Sequence, residues 1–314
     1  MSRKNILQVY SGNANRDLAR KVADYIGVPI GSATVARFPD QEIDVKVHDD
    51  VRGADVYVVQ PTCPPVNENL MELLIMVDCL RRASADRITA VIPYYGYARQ
   101  DRKAEGRVPI TAKLVADLIV AAGTSRVLTI DLHAAQIQGF FNIPVDHIYA
   151  APVMMDHFRR LELPDLMVVS PDVGSLKMCR AYAKRLGVGL AIVDKRRTGP
   201  EETEVAHVIG EIKGKTALFV DDMISTATSI TEAIKVARER GVRDVYIAAT
   251  HPILCGRAMD KLDAVRPTAV VVTDTIPLGE NKKRDFIQVL TTANLLGEAI
   301  KRIHKSESVS SLFV

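Results

Sequence analysis

The chain has 314 residues, with 41 Lys and Arg against 38 Asp and Glu and a formal net charge of +3. That even balance exerts no strong pull toward nucleic acid or an anionic membrane surface, and the lack of Trp with only 5% aromatic residues argues against a base-stacking platform for single strands. A hydrophobic content of 47% excludes disorder, no apolar run approaches the roughly 20 residues of a membrane helix, and the length suits about two domains.

The first ten residues have no apolar core behind their basic residues, so a cytoplasmic protein without a signal peptide is expected. Short Val/Ile-rich runs predict strands at 6–10, 56–60, 88–92 and 127–130, then at 167–170, 190–193, 217–220, 245–249 and 269–272. They lack polar alternation, as expected of strands covered on both faces. Helical spacing appears between them at 69–82 (Leu70, Leu73, Leu74, Val77, Leu80), 173–186 and 229–240, with Gly187 and Gly241 as stops, and again at 294–305. Such alternation predicts an α/β protein with parallel sheets between helices. The pattern runs twice, and a boundary is placed near residues 150–152. Cys63, Cys79, Cys179 and Cys255 lie too far apart for zinc or redox spacings and read as reduced thiols.

The segment 217–230 carries the strongest chemistry. A buried strand delivers Asp221 and Asp222, and then the hydroxyl-rich turn Ser225-Thr-Ala-Thr-Ser229 opens a helix. Unpaired N–H groups and the positive end of the helix dipole accept a phosphate there. Ser225, Thr226, Thr228 and Ser229 add hydroxyl donors, and the two acids can take sugar hydroxyls directly or through Mg²⁺. The bland alternative is a capped helix beside a solvated strand end. Three other stretches are weaker alone. Arg37-Phe-Pro-Asp-Gln-Glu42 offers an aromatic face and carboxylates to a nucleoside, or a core Phe38 and surface acids. The run 93–103 carries Arg99, Arg102 and Lys103, which suit a polyphosphate or a solvated loop. The run 195–204 reads as a long mobile loop, and the dense charge of Lys195, Arg196 and Arg197 suits a lid over phosphates or a plain surface charge run.

The turn at 225–229 resembles the phosphoribosyl-diphosphate loop of the phosphoribosyltransferase fold. Nearly the whole chain, from Arg37 to the terminal Glu307-Ser-Val-Ser-Ser-Leu-Phe313, resembles the ribose-phosphate diphosphokinase family. The resemblance implies two phosphoribosyltransferase-like domains, each a mainly parallel sheet flanked by helices. These would be residues 1–149, with a C-terminal helix near 300–314 packing back on them, and residues 150–300, with the ribose 5-phosphate loop. It implies transfer of the diphosphoryl group of Mg-ATP to the 1-hydroxyl of ribose 5-phosphate, giving 5-phosphoribosyl 1-diphosphate and AMP for nucleotide biosynthesis. Lys195 and Arg197 would be catalytic. Phe38, Asp40, Gln41, Glu42, Arg99 and Gln100 would hold ATP. Arg197, Asp221, Asp222, Ser225, Thr226, Ala227, Thr228 and Ser229 would hold ribose 5-phosphate, and His133 and Asp172 would ligate Mg²⁺. A dimer-based homo-oligomer, commonly a hexamer, is implied, with the 38–42 segment lent to a neighbour's ATP site and with ADP and inorganic phosphate as effectors.

The chain departs from the family pattern at several positions. Gln41, Ala227 and Thr228 stand where glycines are usual, Ser225 stands for an acid, Ser229 for Thr, and Ala135 for Ser. Two other readings stand beside this one: a catalytically silent regulatory subunit, which the altered phosphate loop supports, and a salvage phosphoribosyltransferase, which shares only the acid-plus-phosphate loop.

Overall fold

The computed structural model describes residues 6–196 and 205–312. The chain divides into two compact units, one of Met1–Tyr149, Thr275–Pro277 and Thr291–Val314, the other of Ala150–Asp274 and Leu278–Leu290.

In chain order the first unit holds β1 (Leu7–Ser11), α1 (Arg16–Ile26), β2 (Ala33–Arg37), β3 (Ile43–Val47), β4 (Asp55–Val59) and α2 (Val66–Arg82). Next come β5 (Arg87–Ile92), α3 (Thr111–Ala122), β6 (Arg126–Ile130), a 3-10 turn (Ala135–Phe140) and β7 (Val145–Ile148). β1, β4, β5, β6 and β7 form a five-stranded sheet in that order, parallel throughout. All five residues of β4 are buried, as both-face coverage requires. Leu73, Met76, Val77 and Leu80 of α2 and Ala112, Val115, Ala116 and Ile119 of α3 are buried in one core cluster with Val56, Val58, Ile88 and Ala90 of the sheet. Their spacing of three and four residues is the helical stripe read from the sequence. β2 and β3 form a separate antiparallel hairpin.

The second unit holds α4 (Ala151–Arg160), β8 (Leu166–Ser170), α5 (Leu176–Leu186), β9 (Gly189–Arg196), β10 (Val205–Ile209), β11 (Thr216–Ile224) and α6 (Thr228–Glu239). It continues with β12 (Asp244–Pro252), α7 (Ala258–Val265), β13 (Ala269–Thr273), a 3-10 turn (Glu280–Lys282) and β14 (Ile287–Leu290). Its seven strands run β10-β9-β8-β11-β12-β13-β14, parallel except for β10 against β9.

The last helix, α8 (Ala293–His304), belongs to the first unit. It packs on α1: Tyr25 donates to Glu298 over 3.3 Å, and Lys301 Nζ stands 5.2 Å from the Tyr25 ring centroid. Gly297 is required there, because a Cβ would meet the Tyr25 ring at 2.4 Å. His304 Nδ1 lies 2.7 Å from the buried carboxylate of Asp55, which also accepts from Tyr57 and Arg87.

All nine expected strands are present, and three run further than their apolar cores. Lys195, expected in a loop, lies in β9, since β10 returns beside it in register with Ala206 opposite. The helix expected near 300–314 begins and ends earlier. Ser306 turns left-handed at φ 59°, and the Glu307 N–H closes back on the Arg302 carbonyl over 2.8 Å. A short 3-10 turn (Ser310–Leu312) follows. No helix among the described residues is long and apolar enough to cross a membrane.

Candidate active site

In the second unit, strand order reverses between β8 and β11. The chain leaves β8 toward β9 on one side and leaves β11 toward β12 on the other. Such a switch point splays the two following loops and opens a crevice beyond the carboxyl ends of the strands. Pairing of β11 with β8 stops at Phe219 opposite Val169, whereas pairing with β12 continues to Ile224 opposite Pro252. Asp221 and Asp222 therefore lie within the strand, on the stretch where the β8 side has come free. The expected position at the strand's end is corrected by this longer ladder.

The loop after β8 brings Asp172 and Ser175 to the same place. Asp172 Oδ1 accepts from the Ser175 N–H over 2.9 Å, and the Ser175 hydroxyl lies 3.2 Å from it and 2.9 Å from Asp221 Oδ1. One hydroxyl proton cannot serve both carboxylates fully. Burial, then the neighbouring Asp222, push the Asp221 carboxyl up to about 7. Beneath them Cys179 directs its thiol at the Val220 carbonyl over 3.3 Å, and burial pushes that thiol up to about 12, so it is no nucleophile at neutral pH.

After β11 the chain turns at 225–229 into α6. Ala227 sits in the left-handed region at φ 58°, which glycine would adopt without strain, while Thr228 already belongs to the helix. Of the two such residues in this turn, Ala227 and Thr228, only Ala227 occupies a glycine conformation. Its side chain is buried in the core cluster under α6. Thr226 and Ser229 are exposed, and the Thr226 and Thr228 hydroxyls lie 3.1 Å apart. The loop 253–257 runs alongside, with Leu254 N–H on the Ile224 carbonyl (2.9 Å) and Cys255 N–H on the Ser225 carbonyl (3.0 Å). The Ser225 hydroxyl meets the Cys255 sulfur at 3.4 Å.

The residues fit a divalent ion of the magnesium type. Among the described residues no three His, Cys, Asp or Glu side chains form a ready cage. Mg²⁺ is usually held by one or two carboxylates plus phosphate oxygens and waters, and the crowded acids around Asp221 are the kind of site that a cation relieves.

In the first unit the hairpin tip between β2 and β3 carries Phe38, Asp40, Gln41 and Glu42, all exposed, Phe38 at 48%. Phe38 is therefore not a core residue. The tip is closed by Phe38 N–H on the Glu42 carbonyl (2.8 Å) and by Glu42 N–H on Asp40 Oδ1 (3.2 Å), and Gln41 is left-handed at φ 76°. Arg37 is tied to Glu68 of α2. The loop after β5 buries Tyr94 and Tyr95 and leaves Arg99 and Gln100 exposed. Gly96 allows this close turn, since a Cβ would meet the Thr62 carbonyl oxygen at 2.4 Å. The Gln100 side chain accepts from Thr111 over 2.5 Å, and Asp101 accepts from Gln136 over 2.7 Å. Past β6, Asp131 is left-handed at φ 39° and His133 is exposed. The turn between them is fixed by His147, whose Nε2 accepts the Leu132 N–H over 2.9 Å.

Lys195 is described only as a strand residue, and Arg197 lies outside the described residues. Sequence reasoning missed Ser175, His147, Cys255 and Lys261. Ser175 had a local signal, standing three residues after Asp172 as a turn hydroxyl does. The other three reach their partners only through tertiary structure.

Comparison with known proteins gives a consistent result. Residues 7–123 match the N-terminal domain of ribose phosphate pyrophosphokinase, and residues 197–314 match the phosphoribosyl synthetase-associated domain. The chain is 56% identical over 310 residues to a ribose-phosphate pyrophosphokinase of Rhodopirellula baltica, covering 98% of each. It is 54% identical over 308 residues to that of Gloeobacter violaceus, covering 98% of this chain and 93% of the relative. The crystal structure of phosphoribosylpyrophosphate synthetase from Mycobacterium smegmatis superposes with a TM-score of 0.91 at 41% identity, covering 96% of this chain and 99% of that one.

Proposed function

The chain belongs to the ribose-phosphate pyrophosphokinase family, and on that premise we propose that it transfers the β,γ-diphosphoryl group of Mg-ATP to the anomeric hydroxyl of D-ribose 5-phosphate. The oxygen at C1 attacks the β-phosphorus. The bridge from the α- to the β-phosphorus breaks, AMP leaves, and the hydroxyl proton is lost. No covalent enzyme intermediate is needed, so the protein's task is positioning and charge neutralisation.

The observation that carries this reading is the switch point of the second sheet, where Asp221 and Asp222 stand beside a hydroxyl-lined helix start. The turn at Ser225, Thr226, Ala227, Thr228 and Ser229 anchors the 5-phosphate. Asp221 and Asp222 orient the ribose hydroxyls. The exposed Phe38 ring stacks on adenine, with Asp40, Gln41 and Glu42 around the nucleoside and Arg99 and Gln100 on the phosphates. His133 in the first unit and Asp172 in the second are each candidate Mg²⁺ ligands, and the ion when bound would neutralise phosphate charge. Lys195 and Arg197 neutralise the charge that develops on the transferred group. Ala227 keeps the glycine-like turn despite its Cβ, which weakens the case for a silent subunit. Ile110, Leu114 and Leu118, four residues apart on and before α3, are exposed apolar positions, and they support a dimer-based homo-oligomer, a hexamer by resemblance. ADP and inorganic phosphate are proposed effectors, and the cytoplasm the proposed location.

The test is AMP release from ATP. Release that depends on ribose 5-phosphate, and that falls by orders of magnitude in Lys195→Ala with modest change in KM, is expected. AMP release indifferent to the sugar phosphate overturns the proposal.

A further inference from the structure

The phosphate turn at 225–229 contains no cationic side chain, yet one reaches it from another element. Lys261, half-buried on α7, donates from its ammonium to the Thr228 hydroxyl, which lies 3.1 Å from that of Thr226. Thr228 is one of the residues that stand where glycine is usual, so this handle for the lysine comes with the altered turn.

The charge of Lys261 is not cancelled on its own helix. Asp260 is taken by Arg257 over 3.3 Å, and Asp263 by Arg284 over 3.0 Å. Among the described residues Lys261 has no carboxylate partner. An ammonium has three N–H donors, and the hydroxyl of Thr228 occupies one. The loop 253–257 that leads into α7 is stitched to the turn by the Leu254 and Cys255 backbone bonds, so helix and turn are held in register. A point charge without a counter-ion, aimed at a helix start lined by Thr226, Thr228 and Ser229, has the chemistry of a phosphate ligand.

We propose that Lys261 binds the 5-phosphate of ribose 5-phosphate, supplying the positive charge that the turn itself lacks. The inference rests on the phosphate-turn reading above. A charge-assisted hydrogen bond to phosphate is then lost when the ammonium is removed, without effect on the nucleotide end of the reaction.

The test is steady-state kinetics of the full chain with Lys261→Met, Lys261→Arg and, as a control on the turn, Thr226→Val. Lys261→Met is expected to raise KM for ribose 5-phosphate about tenfold or more, with kcat and KM for ATP within about twofold, and Lys261→Arg to recover most of the loss. Thr226→Val is expected to raise the same KM. If Thr226→Val raises it and Lys261→Met does not, Lys261 is no ligand and the turn reading stands. Equal rises in both substrates' KM in Lys261→Met, without recovery in Lys261→Arg, mean a packing role and overturn the inference. If neither variant moves KM for ribose 5-phosphate, the turn reading falls and the inference with it.

Discussion

The two sheets differ in one topological respect, and it separates two ways of building a binding site. In the second unit strand order reverses at β8 and β11, so the fold itself opens a crevice. Its floor is made of buried or half-buried groups such as Asp221 and Asp222 and of backbone at a helix start. In the first unit the reversal is confined to the edge strand β1, where a single parallel bridge sets Ile30 beside Val9 on the side away from β4. Its nucleotide-facing candidates hang instead on a hairpin tip and on loops, as exposed side chains. Where topology provides the site, residues are constrained by burial. Where it does not, they are constrained only by the ligand.

The largest expected effect lies at the crevice. Hydrogen bonds to a charged group are worth about 1.5–3 kcal/mol each, and Asp222 is proposed above to orient the ribose hydroxyls. Asp222→Asn should lower kcat/KM for ribose 5-phosphate about a hundredfold or more in steady-state assays. A change confined to ATP would break the assignment of the crevice to the sugar.

Acidity offers a second measurement. The folded state raises the Asp221 carboxyl from 3.8 to about 7, so it binds that proton more tightly than the unfolded chain does. Its contribution to stability is complete below 3.8 and is lost as pH rises through about 7. Thermal melting of the ligand-free protein should therefore show a downward component between those values, which Asp221→Asn removes. An identical pH slope in the variant would mean that the acids are not crowded as described.

At the hairpin tip the expected effects are smaller and one-sided. Stacking of a base on an aromatic ring contributes about 1–3 kcal/mol. Phe38→Ala should raise KM for ATP roughly tenfold and leave KM for ribose 5-phosphate unchanged.

The smallest effects compare the two glycine-like positions directly. A left-handed non-glycine residue costs about 1–2 kcal/mol, and a new glycine returns about 0.4–1 kcal/mol to the unfolded chain. At the exposed Gln41 only a long side-chain bond to the Pro39 carbonyl (3.5 Å) is lost, so Gln41→Gly should stabilise by about 0.5–1 kcal/mol in denaturant unfolding. At Ala227 a buried methyl worth about 0.8 kcal/mol also disappears, and Ala227→Gly should be nearly neutral. Equal gains at both sites would mean that burial of Ala227 contributes nothing.

The same contrast explains what could be read from the amino-acid order. The nine Val- and Ile-rich strands were legible, because burial on both faces leaves few polar interruptions. The β2–β3 hairpin was not, since Ala33–Arg37 and Ile43–Val47 are mostly half-exposed ribbon. β7, β10 and β14 are edge strands of four or five residues, each interrupted by a polar side chain (Asp146, His207, Gln288). In the site, Asp221, Asp222 and the Ser/Thr turn were legible because chemistry and chain continuity coincide there. Lys261 was not: it stands 33 residues from Thr228, and only the parallel course of two loops brings them together. His147 likewise announces nothing by spacing, and is seen only when its ring meets the Leu132 amide.

The return of α8 to α1 has a consequence for biosynthesis. Asp55 sits at the start of β4, and the imidazole that reaches it comes 249 positions later. At a ribosomal speed of about 5–20 residues per second, the aspartate emerges some 12 to 50 seconds before its histidine. During that interval the nascent first unit exposes the face of α1 that α8 will cover, while the whole of the inserted second unit is being delivered. Newly made chains should therefore depend on holding chaperones chiefly through their amino-terminal half.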